Sequence, residues 1–214
     1  MNILIAVPTF ENITPETFRS IYYAAYFATL PFLPFGDKID FDFVKGYDCA
    51  RARNEICKKA IDGKYDITLM VDSDTVIPDH TIRWLLEGLS EGFDLMLGVV
   101  PRKNTTTKQT ELFSFNLTDR YSDANRYGIQ EIEQLANRGY DQVHIKGGGF
   151  GCAMFKTDIL KRLGYPWFKY VLYPNEQVLS EDLYFCESLN EAGMKVGMDP
   201  RVRCKHLVRK FQYE

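Results

Sequence analysis

The chain has 214 residues, of which 45% are hydrophobic and 26% are charged, a composition typical of a globular protein with one core. The net charge of −3 argues against a general nucleic-acid-binding protein, which uses a basic surface. No stretch approaches the roughly 18 apolar residues that a membrane-spanning helix needs, no signal peptide is recognisable, and five scattered cysteines without a CxxC pair predict reduced thiols and a cytoplasmic location.

The first hundred residues alternate between strand-like and helix-like segments. Short β-branched runs predict strands, and apolar residues at helical spacing predict helices. The predicted order is strand 2–7, helix 15–30, strand 39–44, helix 48–61, strand 67–71, helix 78–89 and strand 94–100. This alternation favours a parallel sheet covered by helices, so we assign the chain to the α/β class.

The pattern changes after residue 101. The later predicted elements are a polar loop at 102–109, strand 112–117, helix 129–137, strand 143–145, a glycine segment at 147–151, an extended segment at 152–155, helices 158–163 and 180–192, and strands 195–198 and 202–207. Ser180 is placed to cap the last helix. We therefore predict a single domain over residues 1–214, with one half at 1–101 and a mixed half at 102–214.

Two aspartates at the end of predicted strand 67–71 are the most informative feature. Ligands of open α/β sheets bind outside the carboxyl ends of the strands, where Asp72 and Asp74 fall. Two close carboxylates repel each other unless a cation lies beside them, and Mg²⁺ and Mn²⁺ share carboxylates with substrate phosphates. This placement predicts a metal–phosphate site. The alternative is a solvated acidic turn, because Asp and Ser are favoured turn residues.

Four segments of the chain resemble motifs of the GT-A-fold glycosyltransferases, and they occur along the chain in the same order as in that family. Asp72-Ser73-Asp74 resembles their DxD motif, and Ser180-Glu181-Asp182 resembles the Glu-Asp helix start of the inverting members. Ala52-Arg53-Asn54 resembles their Ala-Arg-Asn helix start, and Val7-Pro8-Thr9-Phe10-Glu11 resembles the first-strand end that meets the nucleotide base. The resemblance implies a GT-A-like fold: a Rossmann-like nucleotide-binding half, a mixed sheet, and helices on both faces.

The resemblance also implies a metal-dependent enzyme that moves a sugar from a nucleoside diphosphate sugar to an acceptor hydroxyl with inversion. It assigns the catalytic base to Asp182, and a Mn²⁺ or Mg²⁺ site to Asp74, His206 and Asp72. The implied nucleotide and diphosphate contacts are Pro8, Thr9, Glu11, Arg53, Asn54, Asp72 and Ser73, with weaker candidates in Arg51 and Arg102. The implied acceptor side comprises Gly148, Gly149, Trp167 and Glu181, and residues 102–142 are where acceptor specificity varies.

Several alternatives stay open at this point. The chain is also consistent with a nucleotidyltransferase, although Pro8-Thr9-Phe10-Glu11 stands where a glycine-rich phosphate loop is expected. A non-catalytic domain that binds a sugar nucleotide or a glycan is the third interpretation. His206 could be a structural histidine, and the acids at the start of helix 180–192 could serve only that helix. The acceptor could be a glycan, a protein, a small molecule or a modified nucleobase, and the nucleotide could be uridine or guanosine.

Overall fold

A computed structural model describes residues 1–10, 12–29, 38–46, 48–102, 109–115, 121, 125–173 and 178–207. Its helices are α1 (Pro15–Thr29), α2 (Cys49–Asp62), α3 (Thr81–Ser90), α4 (Ile129–Asn137) and α5 (Glu181–Glu191), with a 3₁₀ helix at Thr157–Lys161. Its strands are β1 (Asn2–Thr9), β2 (Lys38–Lys45), β3 (Ile67–Val71), β4 (Thr75–Val76), β5 (Leu95–Val99), β6 (Gln109–Phe113), β7 (Arg126–Gly128), β8 (Val143–His144), β9 (Gly147–Gly148), β10 (Cys152–Lys156), β11 (Val171–Leu172), β12 (Val178–Leu179), β13 (Val196–Arg203) and β14 (Lys205–His206).

A mixed seven-stranded sheet in the order β2-β1-β3-β10-β5-β13-β8 forms the centre of the molecule. Strands β2, β1 and β3 are parallel, β10 runs antiparallel to both β3 and β5, and β13 pairs with β5 in parallel. The late strand β10 therefore lies between two strands of the first hundred residues. The predicted α/β class and mixed sheet are confirmed, and the single-domain boundaries stay a prediction.

Each face of the sheet has its own apolar core. Along β1, Leu4 and Ala6 face a core that includes buried residues of α2 and α5. Ile3 and Ile5, which alternate with them, face a second core built with α1 and α3. Since successive strand side chains point to opposite faces, helices cover both sides of the sheet, as predicted.

Several element boundaries differ from the predictions. β6 ends at Phe113, earlier than the predicted strand 112–117, whose last two positions lie outside the described residues. The predicted helix 158–163 is a 3₁₀ helix at Thr157–Lys161. The predicted strand 195–198 and the first two residues of the predicted strand 202–207 form one strand, β13, which changes register after Met198, and residues 205–206 form the separate strand β14. Pro200 has no N–H for the ladder, and the Asp199 carboxylate bonds the backbone N–H of Arg201 at 2.9 Å.

The cysteines of the chain are all free thiols, of which four are buried and Cys49 is exposed. Within the described ranges, no helix has both the length and the apolar character needed to cross a bilayer. The predicted cytoplasmic location stays a prediction.

Candidate functional site

The acidic turn lies where β3 leaves the sheet. β3 is buried along its whole length, and the N–H of Asp72 donates to the carbonyl of Gly151 at 3.1 Å. The N–H of Thr75 then donates to the carbonyl of Asp72 at 3.0 Å and closes a four-residue turn. This turn leaves Asp72, Ser73 and Asp74 half-buried at the carboxyl end of the strand, where the sequence predicted them.

His206 is held beside this turn by a strand pair. β14 pairs antiparallel with β4, so that His206 lies opposite Thr75, and the N–H of Leu207 donates to the carbonyl of Asp74 at 2.8 Å. Nδ1 of His206 lies 2.8 Å from the carbonyl oxygen of Pro101, and Nε2 lies 3.4 Å from Oδ1 of Asp74. A carbonyl can only accept, so Nδ1 carries the proton, and in the neutral ring Nε2 presents a lone pair toward Asp74.

This arrangement fits two ligands of a divalent cation. A metal-binding histidine commonly donates its other ring N–H to a backbone carbonyl, as His206 does to Pro101. Two lone-pair atoms facing each other need either a proton or a cation between them. Within the described residues, no group of three His, Cys, Asp or Glu side chains could hold a metal. Oδ1 of Asp72, the predicted third metal residue, accepts a hydrogen bond from Arg53, and a role of Asp72 at the metal stays a prediction. Mg²⁺-type sites use one or two carboxylates together with substrate phosphates, so a pair is a sufficient protein contribution.

Arg53 is a buried link between the acidic turn and α5. Only 3% of its side chain is exposed. Nη2 donates to Oδ1 of Asp72 at 3.0 Å, Nη1 donates to Oε1 of Glu181, and the guanidinium carbon lies 5.5 Å from the ring centre of Phe150. Nε is buried and makes no hydrogen bond within the described part of the chain. Arg53 therefore bridges two carboxylates, in contrast to the open diphosphate contact that the sequence predicted.

Glu181 is the buried partner of this bridge. It is 5% exposed, and its carboxylate contacts Arg53 and accepts a hydrogen bond from the hydroxyl of Tyr170. Burial raises the pKa of Glu181, and the Arg53 cation opposes that rise. Burial also raises the pKa of Tyr170, and the neighbouring Glu181 carboxylate adds to it. The structure thus places Glu181 inside the protein, contrary to the predicted acceptor-side position.

Asp182 occupies the first turn of α5 and has a fixed carboxylate. Its Oδ1 accepts hydrogen bonds from the hydroxyl of Ser180 and, at 2.8 Å, from the N–H of Leu183. The hydroxyl of Ser180 is therefore engaged with Asp182 and makes no capping bond, contrary to the prediction. The second oxygen, Oδ2, faces Gly149, where a methyl group would lie 3.5 Å from it.

One cavity of about 110 Å³ brings the predicted catalytic residue together with two of the three predicted metal residues, while Asp74 is not among its lining residues. Asp182, Asp72 and His206 line it, although they come from α5, the end of β3 and β14. The cavity is lined by Asp72, Gly98, Val100, Pro101, Glu111, Leu112, Gly149, Phe150, Gly151, Asp182 and His206. The predicted roles of these residues stay predictions, but the structure provides the shared cleft that those roles need.

Two predicted site residues serve the core instead. Nδ2 of Asn54 donates to the carbonyls of Ala50 at 2.8 Å and Phe168 at 2.6 Å, and its Oδ1 accepts from the N–H of Phe168 at 3.2 Å. Its polar atoms are thus occupied by backbone, which leaves none for the predicted nucleotide contact. Trp167 is 9% exposed and donates its indole N–H to the carbonyl of Leu160 at 2.9 Å. It packs in the core and does not present a ring to an acceptor.

The remaining predicted contacts lie at the same edge of the sheet or outside the described residues. Pro8 and Thr9 are buried at the end of β1, and Oγ1 of Thr9 makes no hydrogen bond within the described part of the chain. Glu11 lies outside the described residues. Gly149 lines the cavity, whereas a methyl on Gly148 would lie 2.6 Å from Cδ2 of Leu112, so Gly148 permits close packing of β9 on β6. Arg51 is exposed on α2, and Arg102 pairs with Glu111.

Comparisons with known proteins identify the family of this chain. The sequence model of the family described as glycosyltransferase-like family 2 matches residues 44–212. This match covers more than half of the chain, so the protein belongs to the glycosyltransferase-like family 2 and is a glycosyltransferase. Among curated protein sequences, no relative matches.

Solved structures show that the fold is GT-A. A197 from STIV is 14% identical, with a TM-score of 0.63 over 98% of this chain and 87% of that chain. GalNAc-T7, solved with UDP, GalNAc and Mn²⁺, is 12% identical with a TM-score of 0.56, and the match covers 97% of this chain but 43% of that one. The UDP-glucose pyrophosphorylase of Acinetobacter baumannii is 9% identical with a TM-score of 0.51 over 95% of this chain and 88% of its own. At these identities each likeness concerns the fold alone.

Glu111 is a cavity residue that sequence reasoning missed. It lies on β6 between Thr110 and Leu112, which are both buried. The signal available in the sequence was a single acidic residue inside a short strand, Gln109–Phe113. The sequence predicted that this strand begins at residue 112, three residues later than it does, so Glu111 fell outside it. A half-buried acid in such a strand indicates a partner or a cavity, but nothing local shows that β6 reaches Gly149.

Proposed function

We propose that this glycosyltransferase moves a sugar from a nucleoside diphosphate sugar to an acceptor hydroxyl, with inversion and with the help of Mn²⁺ or Mg²⁺. The observation that carries the proposal is the cavity in which Asp182 and the acidic end of β3 meet. An inverting transfer needs a base on one side of the anomeric carbon and a departing diphosphate on the other. A cleft lined by both Asp182 and Asp72 supports that arrangement.

The residues have separate tasks in this mechanism. Asp74 and His206 would hold the cation, and Asp72, which Arg53 anchors, borders the donor side. When bound there, the cation would stabilise the negative charge that develops on the diphosphate. Asp182, fixed by Ser180 and Leu183, takes the proton of the acceptor hydroxyl while that oxygen attacks the anomeric carbon. A single displacement of this kind inverts the configuration.

The choice of cation and donor has support from one structural neighbour. GalNAc-T7, which shares this fold, was solved with UDP, GalNAc and Mn²⁺. Its likeness to this chain motivates testing Mn²⁺ and uridine donors first, with guanosine donors beside them. The predicted contacts of Pro8, Thr9 and Ser73 with the nucleotide remain part of the proposal, because Pro8 and Thr9 end β1 and Ser73 follows β3 at the same edge of the sheet.

The test is release of nucleoside diphosphate from a panel of UDP- and GDP-sugars, with Mn²⁺, with Mg²⁺ and with EDTA. We expect metal-dependent release that Asp182→Asn reduces by about 10²–10⁴-fold, with donor binding retained in a thermal-shift assay. Asp62→Asn, an exposed carboxylate at the end of α2, is the matched control and should behave as the wild type. Near-normal turnover of Asp182→Asn would show that the base is another group. Release of pyrophosphate in place of nucleoside diphosphate would indicate nucleotidyl transfer.

A further inference from the structure

Glu111 and Asp182 stand on two sides of the same glycine in the cavity. The N–H of Gly149 donates to the carbonyl of Glu111 at 2.9 Å. A methyl group on Gly149 would lie 3.1 Å from Cβ of Glu111 and 3.5 Å from Oδ2 of Asp182. The missing side chain therefore keeps open the space between the carboxylate proposed as the base and the wall formed by β6.

The Glu111 carboxylate is held in one orientation by two arginines. Nε of Arg102 lies 2.7 Å from Oε1, and Nη1 of Arg126 donates to Oε2. Arg126 is itself fixed, because its side chain is 11% exposed, its guanidinium carbon lies 4.4 Å from the ring centre of Phe113, and Nη1 lies 3.4 Å from the carbonyl oxygen of Thr110. A carboxylate has about four lone-pair positions, so these two contacts leave acceptor capacity on both oxygens.

The charge of the cavity restricts what it can bind on this side. The described residues that line it include three carboxylates, those of Asp72, Glu111 and Asp182, and no lysine or arginine. Two of the three, Glu111 and Asp182, border the space at Gly149. An acceptor that carries a carboxylate or phosphate there meets the negative charge of Asp182 at close range and finds no hydrogen-bond donor on Glu111, whose own charge is offset by Arg102 and Arg126. A hydroxyl group instead donates to a carboxylate in a charge-assisted hydrogen bond.

We infer that Glu111 is an acceptor-binding residue, and that the acceptor is a neutral molecule with at least two neighbouring hydroxyl groups, as in an uncharged sugar. One hydroxyl faces Asp182 and reacts, and its neighbour donates to Glu111. This inference rests on the proposed function. The reacting oxygen forms the bond to the anomeric carbon while the bond to the diphosphate breaks, and its proton goes to Asp182. Glu111 neither gains nor loses a proton, and Arg102 and Arg126 position it.

The experiment compares Glu111→Gln with Glu87→Gln. Glu87 is a matched control, because it also bridges two arginines, Arg83 at 3.1 Å and Arg201 at 3.0 Å, but lies on α3 outside the cavity. The acceptor probes are methyl glycosides of neutral hexoses, of their deoxy analogues and of uronic acids. Donor hydrolysis by water gives the basal rate, and stimulation by each glycoside gives the acceptor KM. Binding of the same glycosides is followed in parallel by ligand-observed NMR.

For Glu111→Gln we expect the KM of a neutral glycoside to rise about 10- to 100-fold, measured as stimulation above the basal hydrolysis rate of that variant. The control Glu87→Gln should leave both the acceptor KM and the basal rate unchanged. Gly149→Ala should also lose stimulation, because its methyl group enters the space between Glu111 and Asp182, whereas Gly164→Ala, with no atom within 4 Å of the added carbon, should not.

Three outcomes overturn the inference: stimulation by uronic acid glycosides above that by neutral ones, an unchanged KM in Glu111→Gln, or an equal loss in Glu87→Gln. Failure of the proposed function looks different. In that case no donor is hydrolysed by the wild type, and NMR binding of neutral glycosides that is lost in Glu111→Gln still supports the acceptor site. Absence of such binding in the wild type, together with no stimulation, overturns the acceptor site as well.

Discussion

Replacing Arg53 with methionine tests whether the buried bridge holds the site together. Arg53 and Glu181 have side chains that are 3% and 7% exposed, so the change leaves the Glu181 carboxylate buried without its cation. Removing one partner of a buried ion pair costs about 3–5 kcal/mol, far more than loss of a surface pair. For a chain of 214 residues this corresponds to a fall in Tm of about 6–20 °C. Urea unfolding at neutral pH, followed by circular dichroism, measures the free energy directly.

The loss should depend on pH in a defined direction. Burial raises the pKa of Glu181 above its ordinary value of 4.5, and Arg53 opposes the rise, so in Arg53→Met the pKa rises further. A carboxyl whose pKa is higher in the folded state binds more protons there, and stability falls as pH rises through the interval between the two pKa values. The deficit of Arg53→Met relative to the wild type should therefore grow from about pH 4.5 upward and shrink below it.

The double variant Arg53→Met/Glu181→Gln is the control for this reasoning. It removes the uncompensated buried charge of Glu181 and leaves only Asp72, which is 32% exposed, without its arginine, so it should recover most of the loss at neutral pH. The difference between the single and double variants then isolates the contribution of Glu181. Two results would refute the assignment of a buried and coupled Arg53–Glu181 pair. The first is a free energy of unfolding for Arg53→Met within about 1 kcal/mol of the wild type, well below the loss expected for a broken buried pair. The second is a double variant that is no more stable than the single one.

Other variants test the corrected residue roles. Asn54→Leu should lose about 2–4 kcal/mol of stability, because it leaves the buried N–H and carbonyl of Phe168 without partners, and the KM for donor should change little in the folded fraction. Gly148→Ala places a carbon 2.6 Å from a leucine methyl and should cost about 1–3 kcal/mol by thermal unfolding, whereas Gly164→Ala should be neutral. Trp167→Phe should lower stability by about 1–3 kcal/mol with an unchanged acceptor KM, since its indole N–H bonds a buried carbonyl. A raised acceptor KM in Trp167→Phe would restore the predicted stacking role.

The acidic turn was predictable because its signal is local. A run of five apolar residues at 67–71 ends in two aspartates, and this pattern alone indicates a buried strand whose carboxyl end carries the acids. The boundaries of α2 were also nearly correct, because Asp48 bonds the N–H of Arg51 and caps the helix. In both cases the residues that decide the structure are neighbours along the chain.

The environment of Arg53 and Asn54 was not predictable in the same way. Helical spacing shows that both lie in the N-terminal half of α2, but their partners, Glu181 and the backbone of Phe168, lie 128 and 114 residues later in the chain. A motif of residue types cannot distinguish an arginine that faces a ligand from one that faces two carboxylates. The position of His206 likewise depends on the pairing of two-residue strands, β14 with β4, for which the sequence alone carries no signal.

The assembly of the site depends on the second half of the chain entering the sheet formed by the first. β10 pairs with both β3 and β5, and Gly151, just before it, accepts the hydrogen bond of Asp72. The Arg53 bridge fixes the end of β3 to the first residue of α5, one position before Asp182. A buried ion pair is rarely more stabilising than apolar packing of the same volume. Its value here is geometric, since it sets the separation between the end of β3, on the proposed donor side of the cavity, and the proposed base.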